Sequence, residues 1–261
     1  REGIRRYFSV FKNANATGSD LWKKLGEASG EQIDTLMDSW IKQPGFPLLT
    51  VAMATRGDKR VLHIRQQRFF ITPPRKQAPA DQIWHIPLVI HYKDKGRINT
   101  HKFLFFQREQ TVKLPTSMRW CYPNADASGF YRLHLDDRIL RELLEQGLEE
   151  LTPAERMSLI EDQWALVQSG ISTVERFMEV LAAFYGEEDH IVTQAITSRL
   201  AYLDNFVVPQ QERSLLAGFI RWLLGEQMEK LGWEPLPNES PDRTTLRATI
   251  VFSLGHTSRD P

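Results

Sequence analysis

Seven histidines, one cysteine and several paired carboxylates are the side chains here whose chemistry could exceed holding a fold together. A metal needs two or more such groups aimed at one ion, and on a helix that requires an i, i+4 spacing. His63, His85, His91, His101, His134, His190 and His256 contain no such pair. His85 and His91 stand six apart in an apolar run read as a strand. That even spacing shares a sheet face but parts the imidazoles by about 20 Å, too far for one metal, so both are expected in ordinary polar contacts. Cys121, between Trp120 and Tyr122 and without a cation cluster beside it, reads as a small semi-buried hydrophobe, not a nucleophile. Asp136-Asp137, Glu149-Glu150 and Glu187-Glu188-Asp189 fall at expected helix ends, where carboxylates suit the helix dipole better than acid–base work. The sequence has no glycine-rich phosphate loop, dinucleotide fingerprint, Gly-x-Ser-x-Gly elbow or His-Glu-x-x-His. No catalytic, cofactor-binding or metal-binding residue is therefore expected in this chain.

Composition narrows the class further. A chain of 261 residues, 41% apolar and 25% charged, can bury a core without a metal or disulfide staple. One cysteine cannot form an internal disulfide, which excludes a disulfide scaffold and a Cys-x-x-Cys zinc site. No apolar run approaches the roughly 20 residues that cross a bilayer, so no membrane segment is expected. The cysteine count leaves the compartment open, and a cytoplasmic location is the expectation carried forward. The 33 basic and 33 acidic residues balance, yet residues 1–130 hold 21 Lys and Arg against 11 Asp and Glu, and residues 131–261 hold 12 against 22. Arg65, Arg68, Arg75 and Lys76 with Phe69 and Phe70 come nearest to a nucleic-acid patch, and they are too sparse for one. The expectation is two parts of opposite sign that attract each other, with no nucleic-acid partner.

The hydrophobic period divides the chain into three. Ile4, Tyr7, Phe8 and Phe11, then Leu21, Trp22 and Leu25, then Ile33, Leu36, Met37 and Trp40 fall at helical spacing. Asp20 is the expected N-cap of the second helix, and Ser29 with Gln32 resembles a capping box before the third. So many large apolar side chains at a chain start suggest the tail of a core lying upstream. Gln43-Pro44-Gly45-Phe46-Pro47 breaks the period. Strands are then read over Leu48–Ala54, Arg60–Ile71, Ile83–Tyr92, Thr100–Gln107 and Phe130–Leu135, with a polar loop over Pro73–Ala80. Short strands joined by tight turns predict an antiparallel β-sandwich over 43–130.

From Asp136 the period returns to 3.6. Thr152-Pro153-Ala154-Glu155 supplies an N-cap, a proline at the first helical position and the glutamate of a capping box. That helix should end near Ser169-Gly170. Others are read over Val174–Tyr185, Asp189–Asn205, Gln210–Leu231 and Arg243–Leu254. Short loops predict antiparallel helical hairpins in a bundle or solenoid-like array over 131–261. The expected fold class is thus mixed, with separate β and α domains preceded by short helices over 1–42.

Asn15-Ala16-Thr17-Gly18-Ser19-Asp20-Leu21-Trp22 resembles the segment that follows the catalytic core in gluzincin zinc aminopeptidases of the aminopeptidase N and puromycin-sensitive type. Ser29-Gly30, Met37 with Trp40, and Gln43-Pro44-Gly45-Phe46-Pro47 continue the likeness in order. So do Gln67-Arg68-Phe69, Trp84-x-Ile86-Pro87-Leu88, Gly129-Phe130-Tyr131-Arg132, and Leu231-Gly232-Trp233 with Leu246-Arg247.

The resemblance implies a parent that removes N-terminal residues from peptides, with zinc bound upstream of Arg1 and none in this chain. It implies an upstream catalytic domain and a peptide substrate as partners, and a helical domain longer than residues 131–261. This part would be structural and would help enclose the substrate cavity. The alternative is a freestanding peptide- or protein-binding module. The two differ in one observable: a severed core leaves the apolar stripe of residues 1–40 exposed, whereas a natural module covers it.

Overall fold

A computed structural model of the chain describes residues 1–57, 59–72 and 82–257. Three helices open it: α1 (Glu2–Phe11), α2 (Gly18–Ser29) and α3 (Ile33–Ile41). Gly3 lets α1 lie against α2, because a Cβ there would meet Leu25 at 2.8 Å. The cap of α2 is Thr17, not Asp20. The Thr17 hydroxyl accepts from the Asp20 amide, and the Asp20 carboxylate accepts from the Thr17 amide at 2.8 Å, so Asp20 is the reciprocal partner in the box. Ser29 and Gln32 form no box either. Ser29 ends α2 by donating to the Leu25 carbonyl at 2.9 Å, and Gln32 caps α3 without a side-chain bond.

Among the described residues seven strands follow: β1 (Pro47–Arg56), β2 (Lys59–Arg68), β3 (Ile86–Asp94), β4 (Arg97–Phe105), β5 (Glu109–Pro115), β6 (Met118–Tyr122) and β7 (Arg132–Leu135). Sequence reading missed β5 and β6, whose short runs alternate with charge. The proposed loop over Pro73–Ala80 lies outside the described residues. Two sheets form, in the orders β5-β2-β1-β7 and β4-β3-β6. Their pairings are antiparallel except that of β1 with β7, where Leu48 stands opposite Arg132 and Val51 opposite Leu135. A parallel pair requires a long crossover, and the excursion through β2 to β6 provides it. The β3–β4 hairpin turns on Lys95 and Gly96, both with positive φ, which is the turn that matches strand twist.

Six further α-helices follow among the described residues: α4 (Asp137–Gln146), α5 (Pro153–Gln168), α6 (Val174–Ala182), α7 (His190–Phe206), α8 (Arg213–Leu231) and α9 (Pro241–Phe252). Their N-caps are largely side-chain oxygens, from Asp136, Thr152, Thr173, Asp189 and Ser240. α5 packs on α6 and α7, and α9 packs on α7 and α8. One apolar core runs through both parts, from Leu49, Leu62, Ile90 and Trp120 in the sheets to Leu143, Trp164, Leu200 and Ile250 in the helices. None of the described helices is long and apolar enough to cross a membrane.

Candidate functional site

The junction of strands and helices gathers the most chemistry. Asp136 joins them first: one carboxylate oxygen accepts from the Ile139 amide at 2.8 Å to start α4, and the other accepts from the Met53 amide of β1 at 2.6 Å. Arg60 of β2 pairs with Glu142, Lys93 of β3 with Glu150, and His91 of β3 faces Glu155. In each of these contacts a basic side chain from residues 1–130 meets a carboxylate from residues 131–261, so the charge asymmetry of the sequence is spent partly across this junction. Arg132 of β7 adds a contact with Asp162 of α5 at 3.2 Å.

Glu155 is the centre of the junction. It is 2% exposed, and its two oxygens accept four contacts. Oε2 takes the Thr152 amide at 2.8 Å and the Thr152 hydroxyl at 3.0 Å, which completes the predicted capping box. Oε1 takes the Asp126 amide at 2.9 Å and lies 3.2 Å from His91 Nδ1. Asp126 and Ala127 both have positive φ, a conformation that L-residues keep only where their surroundings hold it. The loop is held by the Gly129 amide on Asn124 Oδ1 at 2.8 Å, and by Ser128 Oγ donating to the Ala125 carbonyl. Gly129 must be glycine, since a Cβ would sit 2.1 Å from the Tyr131 ring. Among the described residues, His91, Asp126 and Glu155 bring three metal-capable side chains together, with ligand atoms within 4.8 Å of one another. Sequence reading missed this group because His91 and Glu155 lie 64 residues apart and Asp126 and Glu155 lie 29 apart.

Asp162 is fully buried, and burial pushes its carboxyl up to about 7 although Arg132 opposes the shift. The guanidinium is partly solvated and screened, so desolvation wins. Cys121 is fully buried, not semi-buried, and burial pushes its thiol up to about 12, which leaves it inert. The remaining histidines go separate ways. His85 presents its amide to Ser39 Oγ and its carbonyl to Trp40 Nε1. His101 lies beside Phe103, His256 stacks on Phe252, and His190 stands 3.9 Å from Asp242. His63 faces an open pocket beside Thr50 and Arg65, while burial holds His134 below the usual histidine range. Glu187 grips Arg156 through two bonds of 2.8 and 2.9 Å, so that carboxylate is structural.

Two further surfaces matter. α1 exposes Ile4, Phe8 and Val10, and α3 ends on exposed Ile41. A groove of about 770 Å³ lies beside the α2–α3 turn, lined among others by Ile33, Leu36, His85, Phe103 and Phe106.

Comparison with known proteins settles the class of the second half. Residues 120–261, from the middle of β6 through α9, match the ERAP1-like C-terminal domain. The chain belongs to that family. The ERAP1-like match starts at Trp120, so it takes in the Asp126 loop, β7 and all of α4 to α9. Puromycin-sensitive aminopeptidase of Caenorhabditis elegans is 26% identical over 266 residues, covering 100% of this chain and 28% of that protein. Aminopeptidase 2 of Candida albicans is 27% identical over 263 residues, again with the whole chain and 28% of the relative. Tricorn protease-interacting factor F2 of Thermoplasma acidophilum is 29% identical over 203 residues, 78% of this chain and 24% of its own length. This ERAP1-like chain therefore spans between a quarter and a third of the curated aminopeptidases it matches throughout.

Several residues behind the resemblance now have physical roles. Trp40 and Gln43 hold the segment before β3 through the carbonyls of His85 and Ile83, both at 2.9 Å. Buried Gln66 reads the same segment with both ends of its amide, accepting from the Trp84 amide at 2.8 Å and donating to its carbonyl at 3.0 Å.

Proposed function

We propose that this chain is a non-catalytic part of a zinc-dependent aminopeptidase that removes N-terminal residues from peptides. The observation that carries this reading is the match of aminopeptidases to the entire chain over 28% of their own length. The zinc and its general base belong to the upstream part of the parent. The cluster of His91, Asp126 and Glu155 does not supply that catalytic set: Glu155 is committed to the Thr152 cap and the Asp126 amide, which leaves no free general base.

On this reading residues 1–42 are the helical tail of the catalytic domain, 43–130 form a β-sandwich from the two sheets, and 131–261 begin a helical hairpin array. The exposed Ile4, Phe8 and Val10 support an upstream domain of the same chain as the partner that covers α1. A freestanding module would bury that stripe against its own residues. The helical part helps enclose the peptide substrate, and the cytoplasm is the proposed compartment.

The test compares the 261-residue chain with a version carrying its upstream residues, on an aminoacyl chromogenic substrate. Only the longer protein should turn over, and a zinc chelator should stop it. Chelator-sensitive turnover by the isolated chain, or an upstream sequence without zinc ligands, would overturn the proposal.

A further inference from the structure

The geometry points to a divalent-cation site formed by His91, Asp126 and Glu155 where β3, the loop after β6 and α5 meet. One imidazole nitrogen and two carboxylates suit a borderline first-row ion such as Zn²⁺. Two ligands each about 2.0–2.2 Å from a tetrahedral Zn²⁺ stand roughly 3.4 Å apart. His91 Nδ1 and Glu155 Oε1 are already at 3.2 Å. The Asp126 carboxylate lies within 4.8 Å of both, and this exposed side chain needs only its own rotation to close the remainder.

The glutamate is oriented in advance. Oε2 is held by Thr152, and one lone pair of Oε1 is used by the Asp126 amide, which leaves the other beside His91. The left-handed backbone of Asp126 and Ala127 keeps the second carboxylate next to the first. Among the described residues, no lysine or arginine pairs with Asp126 or Glu155. Two carboxylates at this range repel, and a cation between them offsets that repulsion. Binding uses neutral His91 with its proton on Nε2, so the ion replaces the contact between Nδ1 and Oε1, and water completes the open position. The site would clamp the strand region to α5, and it does not depend on the parent being a peptidase.

The experiment uses the chelator-stripped 261-residue chain, with Co²⁺ as the optical probe and Zn²⁺ as competitor. One equivalent of Co²⁺ should bind with the visible absorption of a low-coordinate site, and Zn²⁺ should displace it. Zn²⁺ should also raise the melting midpoint, because it binds only the folded junction. His91→Gln and Asp126→Asn should each weaken Co²⁺ binding at least tenfold. Asp126 is exposed, so its variant keeps the protein folded and the comparison meaningful. His190→Gln, at the separate contact with Asp242, should leave binding unchanged. Failure to bind saturably at about 100 µM metal, well above ordinary structural affinities, would overturn the site. So would binding that both junction variants leave intact, which would place the ion elsewhere on the surface.

Discussion

Arg247 donates through Nε to the carbonyl of Gly232 at 2.9 Å, so a side chain of α9 closes the C-terminal end of α8. Nη2 adds the Leu231 carbonyl at 3.2 Å, and Glu239 holds the guanidinium from the other side. The Arg247 guanidinium in turn holds the Glu239 carboxyl down at about 2. Last-turn carbonyls have no partner within their own helix, and here a neighbouring helix supplies it.

Arg247→Met should therefore lower the melting midpoint and speed amide exchange in α9 and the last turn of α8. It strands two carbonyls and leaves Glu239 with Arg243, at 2.9 Å, as its remaining arginine. Arg247→Lys should recover only part of the loss, since a point charge cannot span the carbonyls and the carboxylate together. Thermal melts and hydrogen exchange resolved by segment are the measurements. Equal stability of Lys and Arg would show that charge alone suffices.

Thr152→Ala removes the hydroxyl that accepts from the Glu155 amide and donates to Glu155 Oε2. The expected cost is about 1–2 kcal/mol, and Thr152→Ser should restore most of it. Urea denaturation gives the difference, and a midpoint unchanged by alanine would contradict the cap.

Gly147→Ala should cost about 1–3 kcal/mol through overpacking. Its φ of −120° is open to any residue, so backbone strain is not the cause. A Cβ there would stand 2.8 Å from the ring of buried Trp120 and 3.0 Å from Leu143. Denaturant midpoints measure the effect, together with the tryptophan emission, which should shift as the ring moves. A neutral substitution would mean that the ring yields freely.

Asp162 makes stability fall as pH rises. Its carboxyl is raised from 3.8 to about 7 by burial, so between those values the folded state holds a proton that the unfolded chain has released. The sign is thus opposite to that of a salt-bridged carboxylate. Asp162→Asn is always neutral. The stability of the wild type minus that of Asp162→Asn should decline from pH 4 to pH 7, by on the order of 4 kcal/mol, and then level off. Chemical denaturation across that range tests it, and a constant difference would show that Arg132 compensates the buried charge fully.

Much of the local structure was legible in the sequence. Thr152-Pro153-Ala154-Glu155 announced its helix because every group in a capping box lies within one turn of the others. Errors at this level came from neighbours of similar chemistry. Asp20 and Thr17 both carry a capping oxygen, and only the backbone conformation at Thr17, φ −105° and ψ 168°, makes it the cap. The candidate site was far less legible: each histidine could be judged singly, but the partner of His91 could not be named.

The sequence by itself determined that α5 begins at the Thr152 cap, that the opening helices carry an apolar face, and that the two halves differ in charge, since each depends on composition or on residues a turn apart. Only the tertiary structure decided that β7 runs parallel to β1, that Arg247 closes α8, and that Glu155 serves both a helix cap and a distant loop. Those outcomes follow from which strand edges and helix ends are left unpaired once the core has closed. The partners that then satisfy them are 15 or more residues away, where local spacing carries no information.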